Sequence, residues 1–173
     1  AGGECDLCWA YSPAGSNFNS VLAELVPEVG SLWQSFPQQG ADFGTRLLNA
    51  FRITCPYPFE KTVLIASDSP HVSLATIRQA RAALDEVDVV LGPAEDGGYY
   101  LIAMREPHDV FSDIPMSTEV VLEMTLVKAR GLGLTTQLLE PLFDVDEASE
   151  LVRLAELLRH ERSLAPATAE TIE

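Results

Sequence analysis

The sequence predicts an α/β fold: a three-layer α/β/α domain with a mostly parallel sheet. Apolar runs of strand length, at 62–66 and 87–91 above all, are separated by segments long enough for a helix, and both runs lead into loops rich in acidic residues, glycine or proline. Parallel neighbours require crossover connections, which put helices on both faces of the sheet. With 47% hydrophobic residues in 173, the chain suffices for one domain with a sizeable core and is too short for two.

The elements follow in order. Residues 5–11 form a strand that ends at Ser12-Pro13-Ala14-Gly15-Ser16, and a short helix spans about Asn19 to Val26, before Pro27. Leu32 to Phe36 is a further strand, and Gln38-Gln39-Gly40 opens a loop. Phe43, Leu47, Leu48 and Phe51 recur at helical spacing, predicting a helix from Asp42 to Ile53 that ends near Pro56 and Pro58. The run 62–66 is a buried strand, followed by a helix from Ser73 to Leu84 with Leu74, Ile77, Ala80, Ala83 and Leu84 as its apolar stripe. Strands at 87–91 and 99–104 flank the loop Gly92-Pro93-Ala94-Glu95-Asp96-Gly97-Gly98. Ser117 caps a helix to Arg130 that Gly131 stops in the left-handed conformation. A strand at 134–139 and a helix from Ala148 to Arg162 complete the domain, read as residues 1–162. Residues 163–173 lack helical periodicity and apolar density and read as a C-terminal tail.

Composition excludes several functions. Eleven Lys+Arg against 26 Asp+Glu give a net charge of −15, which repels phosphate backbones and argues against nucleic acid as a partner. No stretch approaches the roughly 18 apolar residues of a membrane span, and Ala1-Gly2-Gly3-Glu4 lacks the basic and apolar regions of a signal peptide, so a soluble, cytoplasmic protein is expected. Cys5-Asp6-Leu7-Cys8 has CxxC spacing, but zinc would need a second ligand pair and the apolar residues after it continue a strand. Cys5, Cys8 and Cys55 are therefore expected as buried structural thiols, and His71, His108 and His160 as surface or packing residues. Gly-x-Ser-x-Gly, Gly-Lys-Ser/Thr and Gly-x-Gly-x-x-Gly motifs are absent, which disfavours serine hydrolysis, P-loop chemistry and dinucleotide binding.

What remains is a set of acidic loops. Ligands of open α/β sheets bind where strands end, so Asp68, at the end of run 62–66, and Asp96-Gly97-Gly98-Tyr99-Tyr100 together suggest one shared site. Magnesium takes oxygen ligands, commonly one or two carboxylates with substrate phosphates, and Asp68 is the first candidate; its plainer role is a helix cap or an Asp-Ser-Pro turn. Gly97 and Gly98 permit close approach of a ligand and Asp96 can bind a hydroxyl or metal-bound water, although Asp-Gly is equally a hairpin turn. Tyr99 or Tyr100 can stack on a base or sugar or serve as strand core. Asp144 and Asp146, two residues apart, offer a second metal contact, while Asp146 can also cap the next helix. Arg46, the first basic residue, can reach a phosphate or form a surface salt bridge.

Taken in order, Gln39-Gly40-Ala41-Asp42-Phe43-Gly44-Thr45-Arg46, Ser67-Asp68-Ser69-Pro70, Gly92-Pro93-Ala94 with Asp96-Gly97-Gly98-Tyr99-Tyr100, Ile114-Pro115-Met116-Ser117-Thr118 and Asp144-Val145-Asp146 resemble the bacterial DUF2064 family. Its members are uncharacterised glycosyltransferase-like proteins with a Rossmann-like GT-A (nucleotide-diphospho-sugar transferase) fold, related to the molybdenum-cofactor and phospholactate guanylyltransferases. The resemblance spans about residues 5–155. It implies that Asp68 corresponds to the metal-binding aspartate of GT-A enzymes, that the Asp96 loop faces the acceptor or sugar, and that the Asp144 turn is the second acidic contact. Met116 stands where the family often has tryptophan, which removes a stacking partner there. Members also begin with a strand and a basic loop resembling Lys-x-Pro-x-x-Gly-x-x-Lys-Thr-Arg-Leu, whereas this chain starts at what corresponds to their second strand, an N-terminally incomplete fold. Either residues precede Ala1 or the protein is a shortened relative with altered activity; loss of a central strand would expose its neighbours' edges.

The expected function is a transferase dependent on Mg²⁺ (or Mn²⁺) that uses a nucleotide sugar or a nucleoside triphosphate, by glycosyl or nucleotidyl transfer. The alternative is a non-catalytic GT-A-like module that binds a partner or forms a homo-oligomer over its exposed sheet edge.

Overall fold

The computed structural model describes residues 5–25, 33–55 and 60–172. β1 (Leu7–Tyr11) and β2 (Trp33–Pro37) pair in parallel from Leu7↔Trp33 to Tyr11↔Pro37, with α1 (Phe18–Leu25) between them in sequence. A four-stranded sheet is built from β3 (Thr62–Ile65), β4 (Val89–Pro93), β5 (Tyr99–Met104) and β6 (Thr136–Leu138), in the order β3-β5-β4-β6. β5 runs against β3 and β4, and β6 runs with β4, so β3, β4 and β6 all end at one edge. The reversal follows from the short 94–98 link, which can join only antiparallel neighbours.

Periodicity assigns the layers. Val89 and Leu91 of β4 face α2 (Phe43–Thr54) and α4 (Val121–Gly131), in a cluster with Leu47, Leu48, Phe51, Ile102, Met104 and Ala129. Val90, between them, faces the opposite side with α3 (Leu74–Ala83), beside Ala80, Leu84, Leu101 and Ala103. Covered on both faces, β4 is buried along its whole length. A bulge opposite Gly92/Pro93 leaves Tyr100 without a paired residue, and its ring lies over Gly92, where a Cβ would come within 2.4 Å of it.

Helix starts at α2 and α3 are as expected: Asp42 accepts from the Thr45 amide and Ser73 from the Thr76 amide. α4 differs. Ser117 is not its cap but has a φ of 63°, the helix begins at Val121, and Gly131 stays helical while Gly133 takes the left-handed turn at φ 74°. Tertiary contact replaces the cap, because the Leu122 amide donates to the Gly97 carbonyl at 2.9 Å.

Two further expectations are corrected. Instead of a tail after 162, the chain makes a 3₁₀ turn (Arg162–Leu164) and α6 (Pro166–Thr171), which bury Ala165 and Ala169 against Phe143 and against Leu154 and Leu158 of α5 (Ala148–His160). A six-residue helix is too short to display a period, and alanine is a weak apolar signal that still permits close helix packing. Of the three thiols only Cys55 is buried; Cys5 and Cys8 are exposed, because β1 lies in the two-stranded sheet, where even Leu7 is 39% exposed. Among the described residues β1 pairs only with β2 and β3 only with β5. No described helix is long and apolar enough to cross a membrane.

Candidate functional site

Three loops meet at the edge where β3, β4 and β6 end. Past β3, the Ala66 amide still pairs with the Tyr100 carbonyl, and the chain then turns through Ser67-Asp68-Ser69-Pro70. Asp68 is exposed, and the following helix is capped by Ser73, so the capping role open to this aspartate is taken by another residue.

Past β4, Ala94 bridges to Leu142, with Glu95 N to Leu142 O and Leu142 N to Pro93 O both at 3.0 Å. The segment leading to Asp144 is thereby laid alongside the Asp96 loop. Asp96 itself accepts from the Gly98 amide at 2.8 Å, so the hairpin turn and the candidate site are one structure. Gly97 has a φ of 92°, and a Cβ there would lie 2.0 Å from the Glu119 carbonyl oxygen, so only glycine fits.

The third loop is tied to the first by the Val145 amide, which donates to the Asp68 carbonyl at 3.0 Å. α5 is capped by Glu147 with Glu150 in a capping box, which leaves Asp144 and Asp146 free of that duty. Partial burial, followed by the charges of Asp96, Asp146 and Asp68, raises the Asp144 carboxyl above its ordinary range. The charge contributions, second to burial, come from the loops that the backbone bonds lay together.

Among the described residues no three His, Cys, Asp or Glu are gathered closely enough to hold a metal by themselves. Aspartate oxygens are nevertheless the hard donors that a divalent cation takes when a phosphate ligand completes its coordination.

The remaining expected residues lie differently. Arg46 sits in the first turn of α2, its guanidinium 5.6 Å from the Phe43 ring and its Nε buried without a partner among the described residues. No hydrogen bond or ion pair joins it to the four aspartates among the described residues. The Tyr99 ring packs on the core cluster of Ile102 and Met104, and burial pushes its hydroxyl up to about 12. Tyr100 donates to the Glu140 carbonyl at 3.0 Å. Both tyrosines thus occupy the strand-core role rather than the open edge.

No local motif signals the stack that lies beside the aspartates. His71 is buried, 4% exposed, with its ring 4.2 Å from Phe143. Arg153 is placed over the same phenyl ring at 4.1 Å and held by both oxygens of Glu95, at 2.6 and 2.8 Å. Burial, with the Arg153 charge second, lowers the His71 pKa and favours the neutral ring.

A family profile described as an uncharacterized protein conserved in bacteria, DUF2064, matches residues 3–118, more than half of the chain. Among solved structures, a protein from Desulfovibrio desulfuricans G20, presented as a candidate nucleotide-diphospho-sugar transferase, superposes with a TM-score of 0.74 at 28% identity, covering 93% of this chain and 75% of that one. No curated protein matches the chain.

Proposed function

From the premise that the chain belongs to the DUF2064 family and has the nucleotide-diphospho-sugar transferase fold, we propose a Mg²⁺-dependent transferase that uses a nucleotide sugar or a nucleoside triphosphate. The observation that carries the reading is that backbone bonds lay the Asp144 segment beside both the Asp68 and the Asp96 loops at the strand-end edge. Asp68 and Asp144 or Asp146 would hold the cation. Once bound, Mg²⁺ would neutralise the donor's diphosphate and stabilise charge on the leaving group. Asp96, fixed by the Gly98 amide, would orient the acceptor hydroxyl, with Gly97 and Gly98 allowing it close to the backbone. Arg46 would reach a donor phosphate from the start of α2.

Thermal shift assays test this directly. UDP- or GDP-type ligands with Mg²⁺ should raise the melting temperature of the wild type, and Asp68→Ala should abolish the rise. No shift with any such ligand, or an undiminished one in Asp68→Ala, overturns the proposal.

A second reading, a non-catalytic module that assembles through its sheet, rests on β1 and β3 being paired on one side only among the described residues. A dimer in solution that buries those edges, combined with the absence of nucleotide binding, would favour it.

A further inference from the structure

We propose that His71 is a positioning residue for the acidic edge: by stacking on Phe143 it holds the Asp144 segment against the Asp68 loop. The inference rests on the cation reading above.

Its basis is the path of the stack. Glu95 neighbours Asp96, and its carboxylate grips both terminal nitrogens of Arg153. Arg153 covers Phe143 at 4.1 Å, Phe143 precedes Asp144, and His71 stacks on Phe143 at 4.2 Å with 23° between the rings. His71 in turn follows Asp68 by one turn of chain. A single column of side chains therefore links the three loops that carry the carboxylates. Among the described residues a single backbone bond, Val145 N to Asp68 O, joins the first loop to the third.

The column has a mechanical role, because Asp68, Asp96 and Asp144 lie on three separate loops that must stay together at this edge for any of them to share a ligand. Among the described residues neither ring nitrogen of His71 has a partner, so hydrogen bonding there does not account for the residue's place. What it contributes is a flat face of the right size, pressed against a phenyl ring.

Mn²⁺ affinity in the presence of a GDP-type nucleotide, whose phosphates complete the coordination, read by EPR titration of the whole chain against a nucleotide-only control, tests the role apart from catalysis. His71→Ala should weaken Mn²⁺ binding by about tenfold, the scale on which outer-shell supports act, and His71→Phe, which keeps a stacking ring, should restore it. Phe51→Leu, a core change in α2, should lower the melting temperature and leave Mn²⁺ affinity unaltered. Should His71→Ala not fold, His71→Leu, which fills the space without a planar face, takes its place.

Wild-type protein that does not bind Mn²⁺ even with the nucleotide present overturns the cation reading and this inference together. Wild-type binding with unaltered affinity in His71→Ala, or in His71→Leu where that is the variant read, overturns the inference alone. Failure of His71→Phe to restore affinity also overturns it.

Discussion

Gly97 carries two demands at once. Its φ of 92° lies where side chains are strained, and a Cβ would come within 2.0 Å of the Glu119 carbonyl oxygen, a backbone atom that cannot rotate away. Its own carbonyl also accepts from the Leu122 amide. Gly97→Ala should therefore cost about 2–3 kcal/mol, seen as a lower denaturant midpoint. Asp144 offers a prediction of opposite sign. Its folded pKa lies above the unfolded value, so the native state holds the proton more tightly, and stability is lost as pH rises from the unfolded value through the folded one. Asp144→Asn should remove that decline and melt higher than wild type at pH 7 without metal. Melting curves across pH, run in chelator, check both points. Asp-Gly was legible in the sequence as a turn, but the raised pKa of Asp144 was not, because burial and then charges from three loops produce it.

At the scale of elements, α6 separates local signal from packing. Ala165 and Ala169 are small residues whose burial depends on α5 lying beside them. Ala169→Glu would place a charge in that cluster and should cost about 2–3 kcal/mol, with earlier proteolytic cleavage near the C-terminus. Cleavage and melting unchanged from wild type would mean that α6 does not hold this contact in solution. α2 and α3 illustrate the legible case: their caps, Asp42 and Ser73, precede apolar residues at helical spacing and act within three residues. α4 illustrates the other case, since the Gly97 carbonyl that meets its first turn belongs to a distant loop.

For the whole molecule, 26 acidic against 11 basic residues make self-repulsion a general cost of the folded state. Raising NaCl from about 20 to about 300 mM should therefore raise the melting temperature by screening. The Asp68→Ala and Asp144→Asn variants should respond less, because each carries one fewer repelling charge. Calorimetry over that salt range, showing no rise in wild type, would sink the idea.

By itself the sequence determined the layers, the order of strands and helices and the three loops that carry Asp68, Asp96 and Asp144, because periodicity, capping and turn chemistry act over a few residues. It also carried the family resemblance, through motifs spread along the chain. Tertiary structure decided the rest: the place of β5 between β3 and β4, the packing of α6, and the approach of the three loops to one another. Glu95 and Arg153 are 58 residues apart and meet only because the sheet brings β4 beside the strand that leads to α5. A contact of that kind has no local signature, since its energy depends on the positions of segments that the intervening sequence does not encode residue by residue.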